Sequence, residues 1–259
     1  MAEIFNRVEL LMGAPYMKRV GEVRVILFGV GGVGSWCAES LIRSGVRHLT
    51  LVDSDVVCVT NVNRQLMATS LTIGQVKVEA LKAHLLDINP EAEIATIHKL
   101  YTEETADEFR IEDYDYVVDA IDSLKDKVSL ILRATQLTKN DRTKTFFSSM
   151  GAALRTDPFA IRKAEFWEVQ GDPLARMLRK RFKHLDRYPA RKFVCVYSLE
   201  VPRQNMGDME ALTSEEPPSG KAQTNGTMSH VTVIFGSALA GLILQDVEKR
   251  MLADLQGAE

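Results

Sequence analysis

Short apolar runs alternate with helical patterns along the first 150 residues of the chain. The runs predicted to be strands are VRVILFGV (23–30), HLTLVD (48–53), EIATIHKL (93–100), DYVVDAI (115–121) and TKTFFSSM (143–150). Between them, apolar residues recur with helical spacing at 32–44, 73–88, 103–109 and 123–137. Buried strands that alternate with helices are typical of right-handed βαβ units. The pattern predicts an α/β fold, Rossmann-like, with a mainly parallel sheet and helices on both faces.

The rest of the chain departs from this regular alternation. Two strand candidates, FAIRKAEFW and KFVCVYSL, flank a polar helical stretch and predict an antiparallel C-terminal extension of the sheet. Residues 202–225 are rich in Pro, Gly, Ser and charge and predict a mobile loop. We expect one domain over 1–259, with a nucleotide-binding core at about 22–150, the extension, basic segment and loop at about 151–226, and a terminal helix at 227–255. A first helix is expected over residues 2–20.

Composition narrows the class of protein. The 259 residues are 46% hydrophobic and 26% charged, with a net charge of −3, which is typical of a soluble globular protein and excludes a globally basic nucleic-acid binder. The three cysteines, Cys37, Cys58 and Cys195, form no C-x-x-C pair, so we expect no disulfide framework and no zinc. The start lacks the pattern of a signal peptide, and the longest apolar stretch is too short for a membrane span. We expect a cytoplasmic protein.

A glycine-rich turn follows the first strand. In GVGGVG, Gly29, Gly31, Gly32 and Gly34 allow a tight turn in which helix N–H groups face a phosphate. Asp53 ends the next strand, where a carboxylate can accept hydrogen bonds from ribose hydroxyls. These residues predict a nucleotide site; the alternative is a structural βα turn.

The polar residues that follow Asp53 help to distinguish a nucleoside triphosphate from NAD as the bound nucleotide. The segment DSDVVCVTNVNRQ adds the cofactor-binding candidates Asp55, Asn61, Arg64 and Gln65, together with Asn63, and Lys77 comes one loop later. This density of phosphate-type donors exceeds what NAD needs. Arg and Lys suit a triphosphate attacked at its α-phosphorus, because they neutralise the leaving pyrophosphate. An NAD-dependent oxidoreductase or a nucleotide sensor stays as an alternative of another class, and a solvated helix residue is the alternative for Lys77.

Two acids, Asp119 and Asp122, end the strand in VVDAIDS. The carboxyl edge of an open α/β sheet is where ligands bind, and an acid there can hold Mg²⁺ against phosphates. We predict Asp122 as the Mg²⁺ residue; the alternative is that it caps the next helix.

At these residues the chain resembles the ubiquitin-activating-enzyme-like, ThiF-type adenylyltransferase superfamily. The shared features are the GxGGxG loop, the acid-rich strand end, the NxxRQ-type segment, the Lys helix and a final Asp. Within it, DSDVVCVTNVNRQ, INPEAEI, YDYVVDAIDS and CVYSLE most resemble the bacterial tRNA threonylcarbamoyladenosine dehydratases. No cysteine lies in the segment before the last helix, where some relatives have one, so we nominate no catalytic cysteine.

The resemblance implies that ATP adenylates the carboxylate of the threonylcarbamoyl group on a tRNA adenosine, after which the group cyclises and AMP leaves. It also implies that Asp53 holds the ribose, Arg64 and Lys77 the phosphates, and Asp122 the Mg²⁺. Arg7 would reach the partner subunit's site in a homodimer, unless it is only a surface charge. The alternative activity is adenylation of the C-terminal glycine of a small sulfur-carrier or ubiquitin-like protein, and a sulfur-donor or carrier protein is a possible partner.

A basic segment, RMLRKRFKHLDRYPARK, contains one acid among many cations. We predict that Arg179, Lys180, Arg181 and Lys183 contact the tRNA backbone, with Phe182 and Tyr188 available to stack on a base. The alternative is a solvated basic helix face. His230 is expected to be structural.

Overall fold

The computed structural model describes residues 3–207 and 225–256. Its centre is a seven-stranded sheet with the order β3-β2-β1-β4-β5-β7-β6. The strands are β1 (Arg24–Phe28), β2 (His48–Val52), β3 (Glu93–Ile97), β4 (Tyr116–Asp119), β5 (Thr145–Ser149), β6 (Ile161–Glu165) and β7 (Val194–Ser198). Along the sheet, the neighbours β3, β2, β1, β4, β5 and β7 pair in parallel. The edge strand β6 pairs antiparallel with β7. The predicted sheet is confirmed, but the antiparallel part is limited to one strand, because β7 joins β5 in parallel.

Seven helices in the described part of the chain cover this sheet. They are α1 (Asn6–Met12), α2 (Ala14–Glu22), α3 (Gly34–Arg43), α4 (Lys77–Ile88), α5 (Leu124–Asn140), α6 (Pro173–Leu185) and α7 (Ser229–Gln256). Neighbouring strand residues alternate between two apolar cores, Val25 and Leu27 in one and Ile26 and Phe28 in the other. Such alternation means that both faces of the sheet are covered.

Two predicted helices have a different form. The first helix is divided by Gly13, whose φ of +82° is unsuited to a continuous helix, and Pro15 then stands in the first turn of α2. The predicted helix at 103–109 is reduced to a 3₁₀ turn, Ala106–Phe109. Most of the predicted loop at 202–225 lies outside the described residues, and its ends, 201–207 and 225–228, have no regular helix or strand.

The last helix, α7, belongs to the core. By length and composition it could cross a membrane. In the structure it packs against α3, and residues such as Phe235, Leu239 and Ile243 are fully buried in the apolar core. The expected buried terminal helix is therefore observed, and its first turns lie beside the glycine loop.

Candidate nucleotide site

The glycine loop joins β1 to α3 at the carboxyl edge of the sheet. Gly29 has a φ of +83°, and a Cβ there would lie 2.7 Å from the Ala120 carbonyl oxygen. A Cβ on Gly34 would lie 1.8 Å from the Gly29 carbonyl oxygen. Only glycine permits this packing of the loop against the turn after β4. The tight turn predicted from the sequence is thus present.

Gly31 and Gly32 occupy the outer part of the loop. A Cβ on Gly31 would have its nearest neighbour, Gln65 Nε2, at 3.8 Å, so this side of the loop is open. A Cβ on Gly32 would come within 3.3 Å of the side chains of Arg64 and Thr232. The loop, the Arg64 segment and the start of α7 therefore form one surface around the first turn of α3, where a phosphate is favoured.

Asp53 fastens this loop to the end of β2. One carboxylate oxygen, Oδ2, accepts a hydrogen bond from the Val30 N–H at 2.8 Å, and Oδ1 accepts one from the Asp55 N–H at 2.9 Å. Burial raises the pKa of Asp53, while the positive charge of Lys77 and these two hydrogen bonds oppose the rise. Each carboxylate oxygen has a second lone pair, so Asp53 can still accept from a ribose hydroxyl.

Lys77 is the first residue of α4 and is buried, with 5% of its surface exposed. Its Nζ donates to Asp55 Oδ2 at 2.7 Å, and its backbone N–H donates to the Asp55 carbonyl oxygen at 3.0 Å. The alternative of a solvated helix residue is therefore wrong. The ion pair with Asp55 offsets part of the free-energy cost of burying the Lys77 ammonium.

Arg64 lies next to the glycine loop. Its Nη1 donates to the Thr60 carbonyl oxygen at 2.9 Å and to Asn63 Oδ1 at 3.0 Å. Its own carbonyl oxygen accepts from the indole N–H of Trp36, on α3, at 3.1 Å. These bonds attach the Arg64 segment to the helix that the glycine loop begins.

Two neighbouring amides differ in what they offer a ligand. Asn61 is buried, and its Oδ1 accepts from the Cys58 N–H at 3.1 Å, so this side chain shapes the turn before Arg64. Gln65 is also buried, and its Oε1 has no hydrogen-bond partner. An unpaired buried amide oxygen costs free energy unless a ligand or water satisfies it. Its position beside Gly31 fits a nucleotide with hydroxyl or amino donors.

The two acids at the carboxyl end of β4, Asp119 in the strand and Asp122 after it, have different environments. Asp119 is fully buried and pairs with Lys127, Nζ to Oδ2 at 2.9 Å, while Ser148 Oγ donates to the same oxygen at 2.6 Å. It is therefore part of the scaffold. Asp122 is exposed just before α5, whose N-cap position is Ser123. Within residues 3–207 and 225–256, no group of three or more His, Cys, Asp or Glu is arranged around a metal position.

The three thiols and His230 differ in burial and in their contacts. Burial raises the pKa of Cys37 to about 12 and holds the pKa of Cys195 well above its usual value. Cys58 is half-buried, and its Sγ lies 3.8 Å from the Val56 carbonyl oxygen. The His230 ring, through Nε2, lies 2.9 Å from the Thr156 carbonyl oxygen, which agrees with the expected structural role.

The basic segment forms α6 and the turn after it. Lys180, Arg181 and Lys183 are exposed. Arg179 is half-buried and donates from Nη2 to the carbonyl oxygens of Phe166 and Val169, the latter at 2.7 Å. Part of its donor set therefore serves the fold.

The aromatic residues of the basic segment also differ from the expectation. Phe182 is completely buried against Phe166, so the expected stacking on a base by Phe182 is wrong. Tyr188 is 51% exposed and contacts Trp167, itself 44% exposed, with ring centroids 6.5 Å apart. Trp167 directly follows the buried Phe166 after β6 and was not predicted from the sequence as part of this surface.

Arg7 lies on α1 and is exposed. Among residues 3–207 and 225–256, its side chain has neither an ion pair nor a hydrogen bond. The same helix exposes Leu10 and Leu11 by 88% and 81%.

The glycine loop, Asp53, Arg64 and Lys77 define a nucleotide-binding protein with a parallel α/β sheet. The ThiF family model matches residues 5–253, and the chain belongs to the ThiF family. The tRNA threonylcarbamoyladenosine dehydratase of Bacillus subtilis is 36% identical over 264 residues, covering 98% of this chain and all of the relative. The adenylyltransferase and sulfurtransferase MOCS3 of Culex quinquefasciatus is 34% identical but matches 44% of this chain.

Solved structures show the same likeness. The E. coli tRNA N6-threonylcarbamoyladenosine dehydratase in complex with AMP has a TM-score of 0.80 and 28% identity, covering 98% of this chain and 96% of that one. Its complex with ATP has a TM-score of 0.79, covering 99% and 97%. The likeness thus extends over the whole length of the chain, beyond the glycine loop and its sheet.

Proposed function

We propose that this protein is an ATP-dependent tRNA threonylcarbamoyladenosine dehydratase that works through an acyl adenylate. The observation that carries the proposal is the arrangement of the glycine loop, Asp53, Arg64 and Lys77 at one sheet edge. Its setting is a chain that matches named dehydratases over nearly its full length. An NAD-dependent reaction would leave the buried Lys77 and the oriented Arg64 without a task.

In the first step, an oxygen of the threonylcarbamoyl carboxylate attacks the α-phosphorus of ATP, and the bond to pyrophosphate breaks. Asp53 accepts from the ribose, and the N–H groups of the glycine loop face the phosphates. Arg64 and Lys77 neutralise the charge that grows on the leaving pyrophosphate. Gln65 Oε1, which is buried and unpaired, accepts from the nucleotide.

Mg²⁺ is part of this proposal, with Asp122 as its protein ligand. One carboxylate together with phosphate oxygens and waters is a usual environment for this ion. Asp122 is exposed in the turn after β4, outside the N-cap of α5, where an ion bound to the phosphates could reach its carboxylate. When bound, the ion would neutralise phosphate charge.

In the second step, a nucleophile within the same modified group attacks the activated acyl carbon. The acyl–phosphate bond breaks, AMP leaves with one of the original carboxylate oxygens, and a ring closes. The net result is loss of water from the modified nucleoside, with ATP converted to AMP and pyrophosphate. No cysteine is needed as an intermediate carrier, in keeping with the buried Cys37 and Cys195.

The tRNA surface that we propose is the exposed side of α6. Lys180, Arg181 and Lys183 supply positive charge in a chain whose net charge is −3, and Trp167 and Tyr188 expose aromatic area nearby. Cations contact phosphates without reading sequence, and exposed aromatic rings stack on unpaired bases. Arg179 contributes mainly to the fold.

A homodimer in the cytoplasm completes the proposal. The exposed Leu10 and Leu11 form an apolar surface on the helix that carries Arg7, and Leu71 is exposed by 87% on the connection between β2 and α4. Exposed apolar residues of this kind are suited to a second copy. Arg7 would then enter the partner subunit's site.

The first experiment measures pyrophosphate release from ATP with Mg²⁺. The substrates are tRNA carrying threonylcarbamoyladenosine, the same tRNA without that group, and a small carrier protein ending in glycine. We expect release, and loss of water from the nucleoside by mass analysis, with the modified tRNA alone. Release with the carrier protein instead would favour the alternative activity, to which the match with the Culex adenylyltransferase and sulfurtransferase points.

The tRNA surface is tested by a triple variant, Lys180→Ala, Arg181→Ala and Lys183→Ala. We expect weaker tRNA binding and a salt slope shallower by about one unit for each phosphate that is no longer neutralised, with ATP affinity unchanged. The matched control replaces three other exposed cations, Lys139, Arg142 and Lys249, with alanine. Equal tRNA affinity in both triple variants would remove α6 from the proposal.

Arg7 is tested by mixing two inactive variants, Arg7→Ala and Lys77→Ala. If Arg7 acts in the partner subunit's site, each mixed dimer regains one complete site, and about one quarter of all sites become active at random exchange. If Arg7 acts in its own chain, or the protein is a monomer, mixing restores nothing. Light scattering of the wild type gives the oligomeric state independently.

A further inference from the structure

Asn63 connects Arg64 to the segment that precedes α7. Its Oδ1 accepts a hydrogen bond from Arg64 Nη1 at 3.0 Å, and its Nδ2 donates to the Thr227 carbonyl oxygen at 2.9 Å. Both ends of one amide are therefore used, one on a side chain of the nucleotide site and one on a backbone 164 residues away. The sequence suggests Asn63 as one more phosphate donor, but its Nδ2 bond is directed to the protein.

The segment that Asn63 reaches is fixed against the glycine loop. Thr227 lies two residues before α7, and Thr232 in the first turns of that helix is within 3.3 Å of a Cβ on Gly32. One turn later, a Cβ on Gly236 would lie 2.4 Å from the Val33 carbonyl oxygen, so α7 is closely packed on the loop. The hydrogen bond from Asn63 to Thr227 therefore links Asn63 to the segment that leads into α7, the helix that packs on the glycine loop.

These hydrogen bonds restrict the orientation of the Arg64 side chain, which is long and would otherwise rotate freely. Its Nη1 is held by two acceptors, the Thr60 carbonyl oxygen and Asn63 Oδ1. Of these, Asn63 is the side chain, and its own position depends on Thr227. Holding a guanidinium in one orientation before the ligand arrives lowers the entropy lost when the ligand is bound.

We propose that Asn63 is a positioning residue, which orients Arg64 toward the β- and γ-phosphates of ATP and couples that arginine to the start of α7. The inference rests on the proposed function, since it takes ATP as the nucleotide. Asn63 acts through Arg64 and does not itself contact the substrate. Its loss should therefore affect ligands that have the terminal phosphates and spare those that lack them.

The test compares the binding of ATP and AMP to Asn63→Ala, Arg64→Ala and the double variant. All three are made in a Trp167→Phe background. Because the chain has two tryptophans, Trp36 is then the only one, and its indole already contacts the Arg64 carbonyl oxygen. Trp36 fluorescence thus reports on the nucleotide site. The control is Asn140→Ala, an exposed asparagine whose Oδ1 accepts from Gln136 on α5.

We expect Asn63→Ala to weaken ATP binding about tenfold, the effect of one lost hydrogen bond to a charged group, while AMP binding changes less than about twofold. In the Arg64→Ala background the same substitution should have almost no effect, because nothing is left to orient. Asn140→Ala should bind both nucleotides like the wild type. Thermal unfolding of each variant separates a site effect from a general loss of stability.

The outcomes distinguish the two levels of the proposal. A wild type that binds neither ATP nor AMP would overturn the proposed function. A wild type that binds ATP, with Asn63→Ala equal to it or weakened equally for ATP and AMP, would overturn the role of Asn63 alone. An undiminished loss in the Arg64→Ala background would show that Asn63 acts independently of the arginine, which also contradicts the inference.

Discussion

Replacing Lys127 with methionine should destabilise the protein strongly. Lys127 and Asp119 are both completely buried, and the Lys127 ammonium donates to Asp119 Oδ2 and to the Ile121 carbonyl oxygen, each at 2.9 Å. Removing one member of a buried pair leaves the other charge without compensation, which costs about 3–5 kcal/mol of the free energy of unfolding. For a chain of this size, that corresponds to a melting temperature lower by about 6–20 °C.

The assay is thermal and urea unfolding followed by circular dichroism. The control is Lys125→Met, on the same helix but exposed, which should change the free energy of unfolding by less than about 0.5 kcal/mol. A double variant, Lys127→Met with Asp119→Asn, removes both charges and should be more stable than Lys127→Met alone. A single variant as stable as the Lys125 control, or a double variant less stable than the single, would refute the reasoning.

Two further predictions concern the glycine loop and the thiols. Gly34→Ala should abolish nucleotide binding and lower the melting temperature, because the new Cβ would lie 1.8 Å from a carbonyl oxygen. Gly31→Ala should keep the fold, because the nearest neighbour of its new Cβ would be 3.8 Å away. Equal melting temperatures of the two variants would contradict this prediction. At pH 8, an alkylating reagent should modify only Cys58 in the folded protein. Cys37, whose pKa burial raises to about 12, and Cys195 stay protonated and inaccessible until unfolding exposes all three, as mass spectrometry can show.

The sequence was sufficient to predict the nucleotide edge because its signals are local. Gly29 and Gly34 must be glycines for reasons of backbone contact, and Asp53 follows a strand whose apolar pattern is plain. Parallel strands bring their carboxyl ends to one edge, so residues distant in the chain could be placed together without coordinates. The sheet edge that carries the candidate nucleotide site could therefore be predicted from the apolar pattern of the strands and from the residues that follow each strand.

The environment of individual side chains was harder to predict from the sequence. Lys77 and Asp55 pair across a 22-residue separation, and only the conformation of the connection between β2 and α4 shows that Lys77 is buried. On α6, however, the sequence does contain a usable signal. Ala175, Leu178 and Phe182 are buried at helical spacing, which identifies Phe182 as a core residue beside the exposed cations. The parallel pairing of β7 depends on contacts remote in sequence, which no local pattern contains.

The ion pair between Asp55 and Lys77 belongs both to the fold and to the proposed ATP site. Lys77 is almost completely buried, and burying an ammonium costs free energy unless hydrogen bonds to an oppositely charged group compensate. The carboxylate of Asp55, at 2.7 Å, accepts from one of the three ammonium donors of Lys77. The remaining donors can turn to phosphate while the pair persists. The same contact thus orients the side chain of the first residue of α4 at the sheet edge where, in the proposed function, the α-phosphorus reacts.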